Sequence, residues 1–144
     1  MQQYSFQNTI VLIDGVEITG WAEGDDVIGI KRRVDSMSDK VGAGGSMVVS
    51  VSSDRSGEFT FKLQQTSPSN SYLQNKINAM ELAGVDFAPV SVTFQDIYRQ
   101  DLAGGSVGYI KKPAEMTRGE HSTTQEWALV VESLQQVLGN VPNF

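Results

Sequence analysis

The chain of 144 residues contains no cysteine. That removes disulfide frameworks, thiolate metal sites and thiol redox chemistry, and fits a reducing compartment. Histidine occurs once, at His121, so a zinc centre of the usual His and Cys ligands is excluded too. No apolar run approaches the roughly 18 residues that a membrane-crossing helix needs. The opening MQQYSFQNTI has neither the basic start nor the apolar core of a secretory signal, so a soluble, cytosolic chain with no membrane partner is expected. Cations are scarce: 11 Lys and Arg against 17 Asp and Glu give a net charge of −6. An acidic chain gains little counterion release on DNA, so it is expected to lie beside nucleic acid and not to grip it.

What is present is an ordinary globular composition, 40% apolar and 19% charged, in a length that suits one domain over 1–144. Asp14-Gly15 between the apolar runs of 10–13 and 16–18 predicts a hairpin, because both turn residues must accept positive φ. VIGIKRRV reads as a strand with polar intrusions. SMVVSVSS, the turn DRSG and EFTFKLQQ read as a second hairpin, apolar on one face and wet on the other. In its second strand Phe59, Phe61 and Leu63 alternate with Glu58, Thr60, Lys62 and Gln64, while Ser50 and Ser52 extend the polar side of the first. TSPSNSYLQNKINAMELAG predicts the one clear helix. Ser67 caps it, Pro68 takes its first position, Gly84 ends it, and Leu73, Ile77 and Met80 form its inward stripe. Further strands follow in PVSVTFQDIY, GSVGYIKK and EWALVVESL, with the polar stretch PAEMTRGEHSTTQ before the last and an irregular tail. About seven strands with a single inserted helix predict a mainly β fold: a β-sandwich or partly open barrel flanked by one α-helix.

Residues arranged for chemistry are few. GEHSTT carries no nucleophile elbow, so His121 reads as a solvated loop residue, and no catalytic residue is assigned. Asp14, Asp25 and Asp26 lack the alternating calcium-loop pattern and read as turn residues. No metal or cofactor is expected. The longest soft stretch, DSMSDKVGAGGSMVVSV, holds Gly42, Gly44 and Gly45 but fails both phosphate patterns. Met47 stands where a dinucleotide fingerprint needs glycine, and Ser46-Met47 leads into a strand instead of a helix. From the residues alone it is either slack or an arm that becomes ordered on another chain. The cations Lys31, Arg32 and Arg33 before it either guard an exposed strand edge or meet a neighbour's carboxylates.

Two stretches, YSFQNTIVLIDGVEITGWAEGDDVIGIKRRVD and GEFTFKLQQTSPSNSYL, resemble the tail tube proteins of contractile-tailed bacteriophages, which are related to tubes of R-type pyocins and type VI secretion. The second is the more specific, an amphipathic strand running straight into a Ser-Pro-Ser-Asn helix start. The resemblance implies a non-enzymatic structural protein of the virion tail, assembled in the bacterial host cytoplasm. It implies hexameric rings whose subunits complete one large β-barrel, stacked into a tube through which the genome is delivered. Implied partners are further copies of itself, the sheath outside, the tape-measure protein and later DNA in the lumen, and baseplate and tail terminator proteins. On that basis Ser50, Ser52, Glu58, Thr60, Lys62 and Gln64 are lumen-lining candidates. A stacking loop between rings would comprise Met37, Ser38, Asp39, Lys40, Val41, Gly42, Ala43, Gly44, Gly45 and Ser46, soft in the monomer. The competing expectations are the tube of a phage-like injection particle, a small hydrolase using His121, and a monomeric ligand-binding β-sandwich.

Overall fold

The computed structural model describes residues 9–24, 27–97, 99–120 and 123–139. His121, Asp25 and Asp26, and the tail beyond Gly139, lie outside the described residues. Strands β1 (Thr9–Ile13) and β2 (Val16–Glu17) close on the expected turn, with Asp14 and Gly15 at φ of 52° and 82°. Next come β3 (Ile28–Arg32), β4 (Met37–Val41), β5 (Met47–Val51) and β6 (Gly57–Gln64). Helix α1 (Pro68–Ala83) is followed by β7 (Val90–Asp96), β8 (Asp101–Lys112), β9 (Thr124–Val131) and β10 (Gln135–Val137).

Eight of these strands form one antiparallel sheet in the order β2-β1-β7-β8-β9-β6-β3, with β10 added alongside β8. The segment after β2 ties the two sides of that sheet together. Ile18 N–H donates to Val11 O at 2.9 Å, Gln64 N–H donates to Gly20 O at 2.8 Å, and Ala22 N–H donates to Lys62 O at 3.0 Å. This segment takes over the side of β6 that β3 leaves free, so the sheet curls into a partly closed barrel. Of the two expected architectures, the barrel is the one adopted.

The alternation of β6 is what fills the interior. Phe59, Phe61 and Leu63 point inward and meet Trp127, Leu129 and Val131 of β9, Val11 and Ile13 of β1, and Val90 and Val92 of β7. Each large side chain so buried contributes ~1.5–3 kcal/mol of transfer free energy. Helix α1 covers this core with Leu73 and Ile77, while Met80 packs at its margin, as the spacing predicts. The helix is also bolted down at its start. The Ser67 hydroxyl accepts from Ser69 N–H at 3.2 Å and donates to Thr19 O at 2.5 Å, and Thr19 N–H donates to Ser69 Oγ at 2.9 Å. Further along, the Tyr72 hydroxyl donates to Ile13 O and the Trp127 indole donates to Asn70 Oδ1, both at 2.9 Å.

The register gives the barrel two distinct ends. Gly57 lies opposite Val131, and Gln64 lies opposite Thr124. The end at Gly57 gives rise to β4 and β5; the other carries the start of α1 and the connection from β8 to β9.

Candidate assembly site

The stretch expected to be soft is an ordered arm. β4 pairs with β5 from Met37↔Val51 to Val41↔Met47. Its turn is closed by Gly42 N–H donating to Ser46 O at 2.8 Å and Gly45 N–H donating to Gly42 O at 2.9 Å. Gly45 sits at φ 88°, which suits a residue without Cβ. The expected hairpin between Met47–Val51 and Gly57–Gln64 is therefore not formed. β5 turns back on β4, and β6 pairs with β3 and β9 instead. Both β3–β6 and β4–β5 belong to one long ribbon, joined by residues 33–36 on one side and 52–56 on the other. The extra residue on the returning side acts as a bulge, which bends the ribbon and shifts its register.

Every residue of β4 and β5 is exposed. The pairing sets Met37, Val41, Met47, Val49 and Val51 on one face, with relative exposures between 52% and 67%. Asp39, opposite Val49, is the one charge on that face; Ser38, Lys40, Val48 and Ser50 take the other. A two-stranded ribbon with nothing layered on it is marginal in water. Its bare apolar face is the kind of surface that another chain covers.

The root of the arm is clamped. Leu134, fully buried, lies over Gly57, where an added Cβ would come within 2.5 Å of its side chain. Leu134 N–H donates to Arg55 O at 2.8 Å, and its carbonyl accepts from Arg32 Nη2 at 2.7 Å. One of the three basic residues thus has a structural role, while Lys31 and Arg33 remain exposed. On the returning side the Asp54 carboxylate accepts from the Ser56 backbone at 2.9 Å and from its hydroxyl at 2.7 Å. The Ser56 hydroxyl is the main cause that holds Asp54 below the ordinary carboxylate range.

The lumen candidates divide into two groups. Glu58, Thr60 and Lys62 are half-buried on the outward face of β6, and Gln64 is exposed at its end. Glu58 stands between Lys31 of β3 and Val130 of β9, Thr60 between Gly29 and Ala128, and Lys62 opposite Glu126. Opposite charges therefore stand across from one another in the strand register, and the face is mixed in sign. Lys31 and Glu126 were missed as members of this face; Lys31 lies between Ile30 and Arg32 and Glu126 between Gln125 and Trp127, so neither shows a clean apolar–polar alternation. Ser50 and Ser52 do not join it. Ser50 faces Ser38 on the arm, and Ser52 lies just beyond, donating its N–H to Ser36 O at 2.8 Å.

Elsewhere, Asp14 Oδ2 accepts from Lys76 Nζ at 2.7 Å, fastening the first hairpin turn to α1. Burial pushes the Asp14 carboxyl up, but hydrogen bonds from Lys76 and Ser91 and the Lys76 charge outweigh it and hold the group below its ordinary value. The same bond raises the Lys76 ammonium. Among the described residues no cluster of three or more potential metal ligands occurs, and no helix is long and apolar enough to cross a membrane.

A curled antiparallel sheet, one helix and a projecting hairpin define a fold shared with chains of contractile injection machinery. A chain of the extracellular contractile injection system PVC sheath–tube complex in its extended state aligns with a TM-score of 0.66 and 11% identity, over 94% of this chain and 92% of that one. A chain of the PVC sheath/tube terminator gives 0.62 and 12%, over 95% and 98%. A chain of the anti-feeding prophage tube-terminating cap gives 0.59 and 11%, over 96% and 95%. The family of the bacteriophage PhiTE tail tube protein matches residues 1–139, and the chain belongs to that family. It is a tail tube protein, a structural component and not an enzyme. No curated protein matches the sequence.

Proposed function

We propose that this chain self-assembles into the inner tube of a contractile tail. Six copies form a ring, rings stack, and the sheets of neighbouring copies join into one barrel around an open lumen. The observation that carries this reading is the tail tube family match across 1–139. Two further features support it. Among the described residues β3 pairs with a strand on one side only, so its outer edge offers unpaired backbone to a neighbour. The arm offers a bare apolar face that a lone subunit does not cover.

In this reading Glu58, Thr60, Lys62 and Gln64 line the lumen, with Ser50 and Ser52 continuing the wall where rings meet. The arm, residues 37–46 and the strand that returns from them, reaches the next ring. The tube encloses the tape-measure protein and later the DNA, is wrapped by the sheath, and ends at baseplate and terminator proteins. Assembly takes place in the host cytoplasm. Negative-stain microscopy and size-exclusion chromatography over a range of concentrations test this. Six-fold rings and tubes are expected, and a monomer at every concentration would overturn it.

The likeness to chains of an extracellular contractile injection system favours a second reading, in which the tube belongs to an injection particle and not to a virion. Particles isolated with this tube and found to hold no DNA would select it.

A further inference from the structure

The arm leaves the barrel at the Gly57 end, and the connection between β8 and β9 lies at the opposite end, beyond Lys112 and before Thr124. Five paired residues on each strand give the arm a reach of about 17 Å past its root. Copies stacked head to tail in one orientation therefore present the arm of one to the β8–β9 connection of the next, the heterologous contact from which open-ended assemblies grow.

The two surfaces are chemically matched. Residues 113–120 form no strand or helix and are exposed apart from Ala114, which packs against the core. Met116 stands out at 78% exposure, an apolar side chain with no apolar cover. Around it, residues 111–120 carry Lys111, Lys112 and Arg118 against Glu115 and Glu120, a net charge of +1 on a chain whose total is −6. The arm brings the complement: an apolar face whose single charge is the carboxylate of Asp39.

We infer that the arm's apolar face docks on the 113–120 connection of a second copy, with Met47 and Val49 against Met116 and Asp39 against the cations of Lys111, Lys112 and Arg118. This rests on the stacking reading above and names the receptor for the arm. Apolar burial would supply the attraction, and the charge pairing would set which end is recognised.

The absence of native cysteine permits a direct test. Met47→Cys and Met116→Cys, both at exposed positions, are combined in one chain, assembled, oxidised and run on a non-reducing gel. A ladder of covalent multimers beyond the dimer is expected from the double variant and from neither single variant. Tubes that are visible by microscopy yet yield no ladder would overturn the docking assignment while leaving stacking intact. Efficient dimerisation of Met47→Cys alone would also overturn it, by placing arm against arm. If the unmodified chain forms no tubes, stacking itself fails and the assignment with it. In a second measurement, Asp39→Lys is expected to raise the concentration needed for tube growth by about tenfold. Adding Lys111→Glu and Lys112→Glu should bring it back down. Unchanged growth of the Asp39→Lys chain would count against the assignment.

Discussion

Strands β5 and β6 follow one another in the chain and share an alternating pattern, yet they meet opposite fates. In β6 the apolar members Phe59, Phe61 and Leu63 are fully buried, whereas in β5 Met47, Val49 and Val51 are 59%, 52% and 67% exposed. The difference lies in the neighbours. β6 has a strand on each side and a helix across its apolar face, while β5 has one partner and no layer at all. Alternation thus marks a face that is to be covered, without saying whether the cover comes from the same molecule.

If the barrel strands carry the fold and the arm carries association, substitutions should separate along that line. The largest effect is expected for Phe61→Ala, which leaves a cavity beside Phe59 and Trp21 and should cost ~3–5 kcal/mol in denaturant unfolding. Gly105→Ala comes next. Its new Cβ would sit 2.6 Å from the Val131 Cβ, and such overpacking costs ~1–3 kcal/mol. Ser67→Ala removes the helix cap and the bond to Thr19 O, with a loss of about 1 kcal/mol in thermal unfolding. Smaller still is Asp14→Asn, which keeps a residue that accepts positive φ but removes the charge. For a partly exposed pair the loss should stay below about 1 kcal/mol.

The Asp14–Lys76 pair also has a pH signature. The lowered Asp14 pKa contributes stability above the unfolded carboxylate value, about 3.9, and that contribution disappears as pH falls through the folded value. The raised Lys76 pKa contributes below about 10.4 and is lost as pH rises through its folded value. Asp14→Asn should flatten both flanks of the stability profile. On the arm, Val49→Thr should change monomer stability by no more than about 0.5 kcal/mol while tube growth, followed by light scattering, falls sharply. Loss of monomer stability comparable to that of Phe61→Ala would erase the contrast between the two regions.

Much of the barrel was legible in the sequence because its signals are local. Asp14-Gly15 specified its turn, Ser67 and Gly84 bounded the helix, and β6 displayed its buried face residue by residue. Pairing was less legible. Met47–Val51 is flanked by glycine and turn residues on both sides, and alternation alone does not choose between a partner before it and one after it. Four residues at 33–36 opposite five at 52–56 make a bulge that can be recognised only once the register is known. For the same reason Ser50 and Ser52 seemed to share a surface with Glu58. Lys31 and Glu126 escaped notice because their place beside β6 depends on strand order and not on sequence spacing.

The clamp at Leu134 has a mechanical consequence. Because that residue fills the space over Gly57 and is bonded to both Arg32 and Arg55, the hairpin springs from a fixed mount and not from a hinge. A pull or push at its tip is handed directly to the interior of the subunit. A column built from such cantilevers would transmit twist and compression from storey to storey with little slack.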